Sequence, residues 1–302
     1  MNTKALLPVA LRPARAQDTP DVLELTSHIW DGDDYVPEVW QEWLEDSHGL
    51  LLVAEYQQRV VGLAKLSETT PEDWWMQGLR VHPDFEGQGI ASRLNDALLD
   101  YWLLYGRGAL RLTTYFENYR VQHMCQRWGF EKVGEYSYFQ APALRNLALS
   151  ETAVDFVPIT PAEASEALTF SQTNMLHELA LTFMDLGWEW LPPRLSKFEA
   201  IIRHGQAFWW RSRQGLLLLH EDIEEDDQKN PVPCIAWITC QPDHLVNLLL
   251  DFRRLAGQGG FANAGWSASM QEPLLTVLAA AGFERKWLGS VYLYEKKHPG
   301  AN

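Results

Sequence analysis

The chain has 302 residues, 46% of them apolar and 14 of them Trp, material for two domains of roughly 150 residues with a core each. Its net charge of −15 opposes binding to nucleic acid or anionic membranes and favours a cationic acceptor. Three cysteines without Cys-x-x-Cys spacing argue against disulfides and a zinc site, no run of about 18 apolar residues offers a membrane span, and Met1 to Leu11, broken by Pro8, is too short for a signal core, so a cytoplasmic chain, monomer or homodimer, is expected.

Periodicity predicts a strand at Val9 to Pro13, helices near Pro20 to Trp30 and Pro37 to Asp46, and strands at Leu50 to Tyr56, Arg59 to Leu66 and Asp73 to His82. A helix follows on the stripe Ile90, Leu94, Leu98, Tyr101, Trp102 and Tyr105, then a strand at Ala109 to Tyr115, a helix at Asn118 to Trp128 and a strand at Phe130 to Gln140. The remainder predicts a strand at Asp155 to Ile159, helices near Pro161 to Leu186 and Arg194 to His204, a hairpin from Ala207 to Glu221 turning at Gln214-Gly215, and a strand at Pro233 to Cys240. Helices at His244 to Leu255 and Gln271 to Ala281 flank a short strand around Gly260 to Ser267, and an aromatic strand at Val291 to Tyr294 ends the pattern.

The stretch Leu79 to Ala91 reads as strand, tight glycine loop and helix start. Gly87 and Gly89 let the backbone approach a ligand, and the first N–H groups of the following helix, at the positive end of its dipole, favour an anion such as a pyrophosphate. The dinucleotide fingerprint fails, since Ser92 replaces its third glycine and the loop lies well into the chain, and no Lys-Ser or Lys-Thr follows for a Walker loop.

The segment resembles motif A of the GNAT superfamily of N-acetyltransferases, whose pattern is Arg or Gln, two variable residues, Gly, one variable residue, then Gly or Ala. Gly89 and Ala91 match, Gly87 fills the commonest intermediate choice, and Glu86 stands where Arg or Gln is usual. The resemblance implies that the main chain of Leu79, Arg80 and Val81 holds the pantetheine arm of acetyl-CoA. It implies likewise that Glu86, Gly87, Gln88, Gly89, Ile90, Ala91 and Ser92 surround the pyrophosphate. A second landmark, Asn-x-x-Ala-x-x-x-Tyr-x-x-x-Gly-Phe, falls on Asn118, Val121, Cys125, Gly129 and Phe130, and assigns Asn118 to the cofactor site. Cys125 occupies the position of the Tyr that in many members protonates the departing thiolate. It is read either as that acid or, preferentially, as part of the apolar stripe Val121, Met124, Cys125 and Trp128.

Trp128-Gly129-Phe130-Glu131-Lys132 recurs half a chain later as Ala281-Gly282-Phe283-Glu284-Arg285, each followed by an aromatic strand. After Cys240, however, Gln241-Pro242-Asp243 leads into a helix with no glycine loop, Gly257 to Gly260 ends that helix, and Leu278 corresponds to Cys125. The expected fold is therefore α/β (α+β), two tandem GNAT-like domains each with a mixed, mostly antiparallel sheet flanked by helices. Residues 1–145 form the acetyl-CoA domain and 150–302 a degenerate copy lacking the pyrophosphate loop.

An alkylamine is about one part in a thousand neutral at pH 7, so acetyl transfer to it gains from a base. Asp73, thirteen residues before Glu86, falls where histone-type members carry theirs, and Glu68 is a weaker candidate. Asp31-Gly32-Asp33-Asp34 lies in the loop that lines the acceptor side in that family, or simply caps and turns the chain. Asp222 to Asp227 reads as a solvated loop, and His28, His82 and His123 show no metal-ligand spacing, so no metal is expected. The reading is an N-acetyltransferase using acetyl-CoA as cosubstrate on an unidentified primary amine, a small molecule rather than a protein. The alternative is a non-catalytic acyl-CoA-binding or sensing protein.

Overall fold

The computed structural model describes residues 7–145, 155–220, 224–225 and 229–300. The chain forms two compact units. The first comprises the described residues up to Leu112, Arg120–Glu131 and those from Tyr294 on; the second comprises Thr113–Tyr119 and the described part of Lys132–Leu293.

In the first unit β1 (Ala10–Pro13) is followed by α1 (Thr19–Thr26), α2 (Val36–Glu45), β2 (Gly49–Tyr56), β3 (Arg59–Thr70), β4 (Asp73–Val81), α3 (Ile90–Tyr105), the start of β5 (Ala109–Tyr115) and α4 (Tyr119–Arg127). The strands lie in the order β1-β2-β3-β4-β5, antiparallel except for the parallel pair β4 and β5. In β3 the run Val60–Leu66 is buried throughout, including Lys65, whose ammonium donates to the Asp46 carboxylate, so the strand is covered on both faces. Pro37 sits in the first turn of α2, where a missing N–H costs nothing, and Val36, Trp40 and Trp43 bury one face of that helix against Val22, Leu25, Val53 and Leu63. In α3 the buried residues are Ile90, Leu94, Asn95, Leu98, Leu99 and Trp102, so the buried face is rotated from the predicted stripe and Tyr105 is exposed.

The second unit holds β6 (Glu131–Pro142) from Lys132 on, β7 (Phe156–Pro158), α5 (Ala164–Thr173), the ribbon of β8 (Met184–Asp185) and β9 (Trp190–Leu191), and α6 (Leu195–Arg203). Then come β10 (Ala207–Trp210), β11 (Gly215–Leu219), a ribbon of β12 (Glu224–Glu225) and β13 (Pro231–Val232), β14 (Ile235–Cys240), α7 (Leu245–Gln258), β15 (Asn263–Ser269), α8 (Glu272–Ala280) and β16 (Glu284–Arg285). One sheet has the order β14-β11-β10-β7, while β6 pairs antiparallel with β15 and β16. A last strand, β17 (Val291–Lys297), neighbours β5 in the sheet, with Val291–Leu293 in the second unit and Tyr294–Lys297 in the first.

The helix predicted over Pro161 to Leu186 is a correction: only Ala164–Thr173 is α-helical. Asn174 ends it by turning its amide onto the Phe170 carbonyl, and Leu176 then bridges to Leu181 around left-handed Ala180. The hairpin turn is Arg211 to Gln214 rather than Gln214-Gly215, with Arg211, Ser212 and Arg213 all at positive φ. Of the acidic stretch 222–227 only Glu224–Glu225 is described, as β12; the rest of that prediction lies outside the described residues.

The two Gly-Phe pairs perform the same local task. After α4 the Gly129 N–H donates to Gln126 O at 3.1 Å and the Phe130 N–H to Cys125 O at 2.9 Å; after α8 the Gly282 N–H donates to Ala279 O at 3.0 Å and the Phe283 N–H to Leu278 O at 2.9 Å. Both glycines are left-handed, at φ 72° and 77°, so each pair is the same helix C-terminal cap.

Candidate functional site: the β4 edge and the glycine loop

Two features of β4 shape the site. The first is its departure from β5: the parallel register covers only Asp73↔Ala109, Trp74↔Leu110 and Trp75↔Arg111, and among the described residues no strand pairs with the β5 side of β4 beyond Trp75. The second is a bulge. Leu63 faces Arg80 while Lys65 faces Gln77, so Gly78 and Leu79 together oppose Ala64. Gly78 has φ 63° and carries the Trp43 ring where a Cβ would stand, 2.5 Å away, so no side chain fits there and the bulge is fixed by packing. At Leu79–Val81 the side of β4 turned away from β3 is thus an edge without a strand partner among the described residues, immediately before the loop.

The chain then makes a turn at Pro83–Phe85, passes through Glu86, Gly87, Gln88 and Gly89, and enters α3 at Ile90. Gly87 and Gly89 are left-handed, at φ 71° and 75°, and Gly89 is the residue that starts the helix. A Cβ on Gly87 would meet no atom within 4 Å, so that face of the loop is open. Ile90 is buried and anchors the helix start, while Gln88, Ala91 and Ser92 are half-buried and the first α3 N–H groups have no partner inside the helix. The place is shaped for an anion bound by main-chain groups, with space left where a side chain would intrude.

Glu86 is not an isolated negative charge. Arg120, in the first turn of α4, donates to its carboxylate at 2.8 Å, and this contact holds the guanidinium above its ordinary value. Sequence reading missed Arg120; its only signal is its place two residues after Asn118. Asn118 itself is exposed, belongs to the second unit, and donates its N–H to Tyr115 O at 2.9 Å.

Arg80 is also committed. It makes two hydrogen bonds to buried Asp34, at 2.8 and 2.9 Å, under the rings of Trp30 and Tyr35 at 4.5 and 5.4 Å. Of the loop acids Asp31 to Asp34, Asp34 is therefore a clamp between the α1–α2 loop and β4. The loop it holds has Trp30, Asp31 and Gly32 at positive φ, with Trp30 64% exposed.

Asp73 is fully buried. It accepts from Thr70 Oγ1 at 2.7 Å and from Arg111 at 2.7 Å, and Arg111 reaches Glu295 at 2.7 Å with its other nitrogen. Cys125 is likewise fully buried, and loss of solvation pushes its thiol up to about 12. Neither residue presents a titrating atom to solvent. In the second unit β14 leads through a turn at Pro242–His244 directly into α7, with no left-handed residue between them.

Among the described residues no helix is long and apolar enough to cross a membrane. Residues 19–130 match the model of the Acetyltransferase (GNAT) family. The chain is 27% identical over 131 residues to an uncharacterised protein of Mycobacterium leprae, a match covering 42% of this chain and 36% of that protein. It is 29% identical over 82 residues to a histidine N-acetyltransferase of Scomber australasicus, covering 27% of this chain and 24% of the relative. The matches thus span little more than a third of these relatives' own length at most. A solved structure, described as the GCN5-related glucosamine N-acetyltransferase region of a fungal multi-domain GH3 beta-N-acetylglucosaminidase, aligns over 97% of this chain and 38% of its own, with TM-score 0.69 and 16% identity. The α/β fold with a mostly antiparallel sheet flanked by helices is the one expected, and residues 19–130, less than half of the chain, are similar to the acetyltransferase (GNAT) family.

Proposed function

We propose that the protein is an acetyl-CoA-dependent N-acetyltransferase whose acceptor is a small molecule with a primary amine. The unpaired β4 edge at Leu79–Val81, running into a loop whose Gly87 face is open, is the observation that carries this reading. Leu79 and Val81 would hold the pantetheine amides by main-chain bonds, and the loop N–H groups with the start of α3 would hold the pyrophosphate. Bound acetyl-CoA supplies an acyl group activated as a thioester. The chain's contribution is to orient that carbonyl at the β4 edge, keep Asp34 and Arg80 fixed beside it, and leave an approach for the amine.

Asp73 and Cys125 serve as structural residues: the first is held by an arginine and a threonine, the second is sealed in the core. Deprotonation of the amine and protonation of the thiolate then fall to solvent or to other groups. The similarity to a histidine N-acetyltransferase favours a small amine as acceptor. The charge of −15 is consistent with a cationic amine.

The domain reading stands as a proposal too: a cofactor-binding N-terminal half and a C-terminal half of the same ancestry that has lost the glycine loop. The buried state of Asp73 and Cys125 is what favours the second reading, a non-catalytic acyl-CoA-binding protein. Release of free thiol from acetyl-CoA over a panel of amines, histidine and glucosamine included, separates the two. Amine-dependent release supports the enzyme, and binding without release supports the sensor.

A further inference from the structure

We propose that Glu24, His28 and His82 form a binding site for a divalent transition cation of the zinc type. The sequence hid this cluster because one member lies more than fifty residues from the other two. Glu24 is on α1 and His28 one helical turn further along, while the end of β4 brings His82 to the same place, its N–H bonded to Val61 O at 3.0 Å. One ligand atom of each residue lies within 4.8 Å of the others.

The spacing is that of a coordination shell. Glu24 Oε1 stands 3.2 Å from His28 Nε2 and 3.5 Å from His82 Nε2. Ligands at 2.0 to 2.2 Å around a tetrahedral zinc are about 3.4 Å apart, so a cation fits between these atoms with a small rotation of the half-exposed His28 ring. Two imidazoles and one carboxylate select a borderline cation such as Zn²⁺, Co²⁺ or Ni²⁺ over Mg²⁺ or Ca²⁺, and three protein ligands leave one position for water.

The surroundings orient these ligands. Arg59, held by Asp21 at 2.9 Å, reaches the other oxygen of Glu24 at 3.4 Å and leaves Oε1 facing the rings. The His82 ring packs edge-on against His28 and Phe85, with centroids 5.1 and 5.6 Å away. Its second nitrogen, Nδ1, accepts from the Asp84 N–H at 3.2 Å and lies 4.0 Å from the Asp84 carboxylate. Cation binding at Nε2 places the ring proton on Nδ1, which then exchanges the N–H contact for the carboxylate, the carboxylate–histidine–metal arrangement common to such sites.

The test uses the untagged full chain stripped with EDTA. Zn²⁺ is titrated by calorimetry, and Co²⁺ is followed by its visible absorption, which reports coordination number directly. The expected result is one equivalent bound, with a four- or five-coordinate Co²⁺ spectrum. Glu24→Gln, His28→Ala and His82→Asn each weaken binding tenfold or more, while His123→Ala on α4 leaves it unchanged. The melting temperature of each variant in EDTA reports its fold independently. Absence of binding by the folded wild type, or binding that survives the His28→Ala/His82→Asn double substitution, overturns the site.

Discussion

Arg120 donates a hydrogen bond to Glu86 across 2.8 Å, so the carboxylate that stands where the family pattern has Arg or Gln is partnered by a cation from the next helix. Both side chains are well exposed, and the pair adds little to stability. Its significance is for anion binding. On the proposed cofactor reading, an anion in the loop would compete with Glu86 for Arg120, and the Glu86 carboxylate would oppose it. Glu86→Gln is expected to tighten acetyl-CoA binding several-fold, and Arg120→Ala to weaken it by a similar factor, with melting temperatures near wild type. Calorimetric titration with acetyl-CoA at two salt concentrations checks both, since the differences should shrink as salt rises.

Asp73 gives a prediction about stability rather than catalysis. Removing its charge takes one carboxylate away from buried Arg111, and breaking a buried pair typically costs about 3–5 kcal/mol. Asp73→Asn should therefore lower the denaturation midpoint substantially. At a temperature where the variant is folded, the pH profile of turnover should match wild type. A profile that loses its rising limb would instead make Asp73 the base.

Cys125→Ser puts a hydroxyl in a site that holds a thiol without exposing it, and should cost about 1–3 kcal/mol. Because burial pushes the thiol up to about 12, native Cys125 should also resist alkylation at pH 8 until the protein unfolds. Turnover in the folded variant should stay within a few-fold of wild type. A loss of about a hundredfold or more, with acetyl-CoA binding intact, is what acid catalysis by Cys125 would produce.

The N-terminal ion pair supplies a pH prediction. Burial works against ionisation of Asp18, but two hydrogen bonds from Arg12 at 2.7 Å and one from the Arg15 N–H at 2.8 Å outweigh it and hold the carboxyl below its ordinary value. A carboxyl with a lowered folded-state pKa stabilises above its unfolded value, and that contribution disappears as pH falls through the folded one. Asp18→Asn should cost about 2 kcal/mol near neutrality and progressively less below pH ~4 in paired denaturation curves.

The strands and helices of the first half were legible because each is specified locally: alternating or continuous apolar runs for β2 to β5, a Pro at the start of α2, glycines where the loop turns left-handed. The Gly-Phe repeat was legible for the same reason, since a helix cap is written in adjacent residues. What the sequence does not display is long-range pairing. Nothing local to Tyr294–Lys297 says that it belongs to the first compact unit, where Lys296 donates to Trp128 O at 2.7 Å and Glu295 meets Arg111. Asp73 looked like a strand-end carboxylate available to a substrate until Arg111, on a different strand, was placed against it. Glu24 and His82 were likewise uninformative until the fold joined them, and Arg120 was one surface cation among many until it met Glu86.

That return of the chain end has a consequence for truncation. A chain ending at Ser290 lacks the strand beside β5 together with Glu295, which meets Arg111, and Lys296, which donates to Trp128 O. Its first unit should lose cooperative unfolding, as read by thermal circular dichroism, and a fragment of residues 1–145 should behave the same way. A cooperative transition at the wild-type temperature in either would show that the N-terminal half folds alone.

The most direct test of the cofactor site compares the wild type, Gly87→Asn and Gly87→Asp in thermal unfolding with and without acetyl-CoA. Asn and Asp have nearly the same shape and both tolerate the left-handed backbone at position 87, so they differ chiefly in charge at the open face of the loop. At a hundred times its dissociation constant the ligand should stabilise the wild type by about 2.7 kcal/mol, a rise of several degrees. The predicted order of shifts at that concentration is wild type, then Asn, with Asp showing none. An undiminished shift in Gly87→Asp would place acetyl-CoA elsewhere on the molecule.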